Sequence, residues 1–154
     1  MSLTVRPAHG EDVGAMVWID AESSTNPWSA AMFEAAITGT HSWSRVVSDD
    51  AGTVMGFCIA DLIVDELHIH NLAVRGVARR RGAATHLIRS LVTEARQAGA
   101  TSATLEVRPS NIPAQRLYAQ VGFRREGVRP GYYTQPAEDA DILWWRFGRR
   151  AQPE

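Results

Sequence analysis

Lysine is missing from this chain: all 16 basic residues are arginine, and 17 acidic residues leave a formal net charge of −1. A balance so close to neutral argues against a broad basic face that wraps nucleic acid. Cysteine is nearly missing too. The single Cys58 excludes an internal disulfide framework and a multi-cysteine zinc site, so a reducing compartment is expected. No run of about 18 apolar residues occurs, which leaves membrane spanning unsupported. Met1–Arg6 leads into Pro7, Glu11 and Asp12 without an apolar secretory segment, so secretion is not expected either. Repeats, linkers and low-complexity tracts are also lacking. The 154 residues therefore read as one cytoplasmic domain, 1–154, with a loose tail at 148–154. A chain of that length buries a core without metal or disulfide staples.

What is present is an interleaving of two periodicities. Leu3–Arg6 reads as a strand, followed by a helix from Glu11 to Glu22 on the stripe Val13, Met16, Val17 and Ala21. Asn26-Pro27 ends it, because the residue before a proline is driven from helical angles. Ser29 offers a hydroxyl cap to a second helix over Ala30–Thr38, which Gly39 stops. Trp43–Ser48 and Thr53–Val64 are predicted strands around the hairpin signal Asp49-Asp50-Ala51-Gly52, and Glu66–Val74 is a third. After the polar stretch Arg75–Arg81, Gly82 opens a helix to Ala98 with Ala84, Leu87, Ile88, Leu91, Val92 and Ala95 on one face. Thr104–Val107 is a strand. Asn111 caps a helix that tolerates Pro113 in its first turn and ends at Gly122. Phe123–Val128 and Ile142–Phe147 close the chain as strands around a turn-rich stretch. The order βααβββαβαββ predicts a mixed α/β (α+β) layer.

Three places carry candidate chemistry. Arg79-Arg80-Arg81-Gly82-Ala83-Ala84 enters a helix directly after a strand, where unpaired N–H groups and the positive dipole end attract phosphate. The same residues also suit a plain helix start with a solvated charge cluster. Neither a lysine-bearing phosphate loop nor a dinucleotide fingerprint fits. Glu106, flanked by Leu105 and Val107, is either a desolvated general base with a raised pKa or an ordinary outward strand residue. Tyr118 shares a helix face with Ala114, Leu117 and Val121, so it packs in the core with its hydroxyl at a rim. His68 and His70 point to one strand face but lack a third ligand, since His9, His41 and His86 lie elsewhere; no metal is expected. Cys58 reads as a small buried hydrophobe.

The element order and the loop Arg79-x-x-Gly82-x-Ala84 resemble the GNAT N-acetyltransferase superfamily, whose phosphate signature is Q/R-x-x-G-x-G/A. Within it the chain is similar to the RimI type, the ribosomal-protein-alanine N-acetyltransferases. The likeness rests on Asn26-Pro27-Trp28-Ser29, Asn71-Leu72-Ala73-Val74, Leu105-Glu106-Val107-Arg108 with Ser110-Asn111, Leu117-Tyr118 with Val121-Gly122-Phe123, and Gly131-Tyr132-Tyr133 with Glu138-Asp139-Ala140. That resemblance implies the GNAT fold: a central, mixed but mostly antiparallel sheet with splayed middle strands and helices on both faces. It implies acetyl-CoA as cosubstrate, with the diphosphate against Arg79–Thr85 (Arg79, Arg80, Arg81, Gly82, Ala83, Ala84 and Thr85) and the pantetheine arm along Leu72, Ala73 and Val74. The Val74 amide would polarise the thioester, Asn111 would touch the cofactor, Glu106 would be the general base and Tyr118 the general acid. The implied partner is the N-terminal peptide of a ribosomal protein, held by Trp28, His70, Asn71, Glu106, Tyr132, Tyr133, Glu138 and Asp139. By residue type, the last four fit a solvated hairpin tip equally well, and Trp28 and Trp43 fit groove or core. His68 and His70 stand where relatives often carry apolar or small residues. Two further readings stay open: acetylation of a small amine or a protein lysine, and an acyl-CoA-binding module without turnover.

Overall fold

The computed structural model describes residues 2–79 and 81–148. Seven strands form one sheet: β1 (Thr4–Pro7), β2 (Arg45–Ser48), β3 (Val54–Ile63), β4 (Glu66–Val74), β5 (Ser102–Val107), β6 (Arg124–Thr134) and β7 (Ala137–Arg146). Their spatial order is β1-β2-β3-β4-β5-β7-β6, and only β4 and β5 run parallel. Two helices, α1 (Val13–Ser23) and α2 (Ala30–Thr38), cover one face. A one-turn α3 (Gly76–Arg79) leads from β4 to α4 (Ala83–Gln97), which packs with α5 (Ile112–Val121) on the other face.

Alternation along the central strands explains the two layers. On β2 and β3, Val46, Phe57 and Ile59 turn toward α1 and α2, where they meet Met16, Ile19 and Phe33. Their neighbours Val47, Cys58 and Ala60 turn the other way, toward Leu87, Ile88 and Leu91 of α4. A strand buried on both faces reads as a near-continuous apolar run, which is why β3 shows little polar alternation. Trp43 joins the α4-side core with the Arg45 guanidinium 4.9 Å from its ring centre, so it is core and not a groove wall.

The strand between β3 and β5 is where the sheet opens. β4 pairs with β5 only at Glu66–Ser102, Leu67–Ala103 and His68–Thr104. Beyond His68 the two strands separate, while β4 stays paired with β3 as far as Val74 and β5 stays paired with β7 as far as Val107. The register between β3 and β4 steps from Ala60–Ile69 to Ile59–Asn71, leaving His70 as an extra residue on β4. Such a bulge bends its strand and strengthens the local twist. Gly56 lets the far end of β4 lie close: a Cβ there would stand 2.5 Å from Val74 Cγ1 and 2.9 Å from the Ala73 carbonyl oxygen.

Two expectations need correction. The turn-rich stretch between the last two strands is itself strand, so that β6 and β7 form one long hairpin. Pro130 and Gly131 mark a bulge inside β6, not its end. The register shifts between Arg129 and Tyr133, Gly131 adopts φ +62°, and Asp139 Oδ1 accepts its N–H at 2.8 Å. The polar stretch after β4 also contains a helical turn, α3, closed by the Ala78 N–H on the Arg75 carbonyl.

Candidate active site

A continuous cleft occupies the split. Its larger part, about 720 Å³, is lined by Leu72, Ala73 and Val74 of β4, Arg79, Ala84 of α4, and Asn111, Pro113, Ala114 and Leu117 around α5. Its smaller part, about 380 Å³, is lined by Trp28, Ile69, His70, Asn71, Leu105, Glu106, Arg108, Tyr118 and Tyr133, among others. Asn71, Leu72, Arg108, Asn111 and Ala114 belong to both.

The α4 end is built from main chain. Gly82 takes the left-handed conformation (φ 71°, ψ 25°) that turns the chain into the helix, and the first helical hydrogen bond runs from the His86 N–H to its carbonyl. The N–H groups of Ala83, Ala84 and Thr85 precede that bond and lack intrahelical acceptors. Ala83 is fully buried and Ala84 lines the cleft, while Gly82 and Arg81 are exposed. Arg80 lies outside the described residues. Past His68, the edge of β4 that faces the split has no strand partner. An extended ligand chain can hydrogen-bond to such an edge.

The other end is built from side chains. Glu106 sits on β5 with 12% of its side chain exposed, its Oε2 3.0 Å from His68 Nε2 and its Oε1 3.7 Å from Arg129 Nη2. It faces the cleft and not bulk solvent. Asn111 caps α5 by accepting the Ala114 N–H, and that helix carries Tyr118 into the cleft edge-on to Phe123. Burial pushes the Tyr118 phenol well above its usual range, and Cys58 and Tyr133 add to the shift. No hydrogen-bond partner meets its hydroxyl among the described residues. Tyr133 is half-buried and pushed up to about 12, chiefly by desolvation, with the Arg108 guanidinium 4.1 Å from its ring centre acting the other way.

A strap closes this end. The Asn26 side chain donates to the Gln135 carbonyl at 2.6 Å, and Arg108 donates to the Pro136 and Gln135 carbonyls. Glu138 accepts both the N–H and the hydroxyl of Ser110 at 2.8 Å.

Of the predicted contacts, the structure therefore brings together Trp28, His70, Asn71, Leu72, Glu106, Asn111, Tyr118 and Tyr133. Asp139 commits its carboxylate inside the hairpin and Glu138 commits its own to Ser110 and Arg108 after β5, while Tyr132 is exposed with its ring edge-on to Tyr133. Sequence reasoning missed Asn26 and Arg108 as wall residues. Both lie within motifs that carry the family resemblance, Arg108 in Leu105–Arg108 and Asn26 in Asn26-Pro27-Trp28-Ser29, and those motifs alone assign neither a wall position.

The model of the family described as acetyltransferase (GNAT) matches residues 13–123. A Bacillus subtilis protein provisionally named [ribosomal protein bS18]-alanine N-acetyltransferase is 34% identical over 140 residues, covering 91% of this chain and 93% of the relative. The Escherichia coli protein of that name is 30% identical over 142 residues, covering 91% and 95%. A crystal structure of the Escherichia coli ribosomal-protein-alanine N-acetyltransferase superposes with a TM-score of 0.88 at 26% identity, covering 99% of both chains.

Proposed function

The chain belongs to the GNAT acetyltransferase family, and on that footing we propose that it moves acetyl from acetyl-CoA to the N-terminal α-amine of a protein. The acceptor is the N-terminal alanine of a small-subunit ribosomal protein, as the names of the relatives suggest. The observation that carries this reading is the cleft that runs from Arg79 and Ala84, at the entry to α4, to Glu106 and Tyr118 across the split sheet.

The diphosphate lies against the amides of Ala83, Ala84 and Thr85, where the dipole end of α4 and Arg79 favour negative charge. The pantetheine arm follows the open edge of β4 along Leu72, Ala73 and Val74. The Val74 amide is a fixed donor for the oxygen that gains charge as the amine attacks. Glu106 removes a proton from the acceptor ammonium, directly or through water, and the freed lone pair attacks the thioester carbonyl. As the C–S bond breaks, Tyr118 gives its phenolic proton to the departing thiolate, and the surplus proton on the new amide nitrogen leaves through water, which restores the phenol. The phenol is in its acid form at neutral pH, as an unperturbed tyrosine already is, and burial raises it further. No acyl-enzyme forms.

The chemistry also favours an α-amine. A terminal amine titrates near 8 and a lysine near 10.4, so neutralising the lysine costs about 3 kcal/mol more. The test is acetyl-CoA consumption with an alanine-initiated ribosomal peptide, the same peptide N-terminally blocked, and a lysine peptide. Turnover with the free alanine terminus and none with the blocked peptide is expected. Turnover on the lysine peptide alone would overturn the assignment.

A further inference from the structure

Two histidines of β4, His68 and His70, stand beside Glu106. His68 is the last residue of β4 paired with β5, opposite Thr104, so it stands at the vertex of the split. Thr104 and Glu106 share a face of β5, which puts His68 diagonally across from the Glu106 carboxylate. The two side chains meet, Nε2 to Oε2, at 3.0 Å. His70, the extra residue of the bulge, lays its ring 4.2 Å from that of His68, and its own Nε2 lies 3.0 Å from Asp61 Oδ2 on β3. Two carboxylates thus bracket two imidazoles in contact, their planes tilted by 42°.

We infer that His68 is the positioning residue for the Glu106 carboxylate, and that His70 and Asp61 fix the ring of His68. This rests on Glu106 being the base. When Glu106 is ionised, the contact requires the Nε2–H tautomer of His68, which donates to Oε2. Donation there fixes the plane of the carboxylate and leaves Oε1 as the oxygen that takes the acceptor's proton. In that step an N–H bond of the ammonium breaks, an O–H bond forms at Oε1, and the amine keeps the electron pair for attack. Arg129 Nη2, at 3.7 Å from Oε1, forms an ion pair with it but is too distant for a hydrogen bond. The bulge has a second use here. The inserted residue carries the ring that lies against His68 and that Asp61 of β3 holds.

The test compares His68→Ala, His68→Gln, His70→Ala and Glu106→Gln under saturating acetyl-CoA. His68→Ala lowers kcat about tenfold, the scale of one charge-assisted hydrogen bond, with KM for acetyl-CoA unchanged. His68→Gln recovers most of that loss, because its amide can donate from the position of the imidazole Nε2. His70→Ala lowers kcat by a smaller factor than His68→Ala. Wild-type kcat in His68→Ala, or no recovery in His68→Gln, overturns the inference while Glu106→Gln remains inactive. Full activity in Glu106→Gln removes the base itself and the positioning role with it. If His68→Ala fails to fold, His68→Gln decides alone: kcat close to wild type supports donation, and a tenfold loss contradicts it.

Discussion

Under α4, the groups that the cleft offers to a ligand are main chain: the first-turn amides after Gly82 and the open edge of β4. Toward β6 and β7 they are side chains, Glu106, Tyr118, Arg108 and Tyr133, of which Glu106 meets His68 of β4, Arg108 meets the Pro136 carbonyl and the Tyr133 ring, and Tyr118 packs edge-on to Phe123. A main-chain site needs the right backbone angles and tolerates many side chains. A side-chain site needs several distant segments in register at once. Changes at the two ends should therefore separate cleanly, the first altering cofactor affinity and the second altering turnover or acceptor binding.

The largest expected effect is at the side-chain end. Glu106→Gln keeps the shape and removes the base, so kcat falls by roughly 10²–10⁴, the range for a general base, while calorimetric affinity for acetyl-CoA holds. A parallel loss of affinity would break the division. Next comes the main-chain end. Gly82 adopts φ +71°, where a β-branched residue is strained even though a Cβ would meet no atom within 4 Å. Gly82→Val should weaken acetyl-CoA binding about tenfold and leave kcat at saturation close to wild type.

Tyr118→Phe should lower kcat by a similar or smaller factor at the thiolate-leaving step, read as slower CoA release in single turnover. Because burial raises the phenol above its usual value near 10, its acid form persists through the pH range where a free tyrosine titrates. The wild type should accordingly show no loss of kcat from this group on raising the pH to 10.

Smaller still is the strap. Asn26→Ala removes the bond to the Gln135 carbonyl, and KM for the acceptor peptide should rise roughly threefold, about the worth of one neutral hydrogen bond, with acetyl-CoA affinity constant. Glu138 gives the mildest test. Desolvation acts to raise its pKa, but Ser110 and Arg108 outweigh that and hold it below the usual glutamate range. A depressed value means that its stabilisation is complete above the ordinary pKa near 4.3 and fades as pH falls through the lowered one. Hydrogen exchange at the Ser110 amide, which Glu138 accepts, should be unaffected by Glu138 ionisation near neutrality and should gain an acid-side acceleration as that carboxylate protonates.

The same contrast explains what the sequence disclosed. The α4 end is nearly contiguous, so Arg79-x-x-Gly82-x-Ala84 could be read directly, along with the caps Ser29 and Asn111 that set the helices. The succession of strands and helices along the chain was legible, α3 apart, and the splay of the sheet came through the family resemblance. The bulge at His70 was not legible, because a one-residue register step depends on the partner strand β3 and leaves no local composition signal. Contacts such as Asn26 with Gln135 and His68 with Glu106 span 109 and 38 residues, beyond any periodicity. The hairpin β6–β7 was misread for a physical reason: Pro130 and Gly131 serve a bulge with the same residue types that end a strand.

The account depends most on acetyl-CoA seating its diphosphate on the turn into α4, and isothermal titration of acetyl-CoA into the wild type and Gly82→Val tests that directly. One site per chain in the wild type, with clearly weaker binding in the variant, is the predicted result. No binding heat in the folded wild type, or equal affinity in the two proteins, would contradict it.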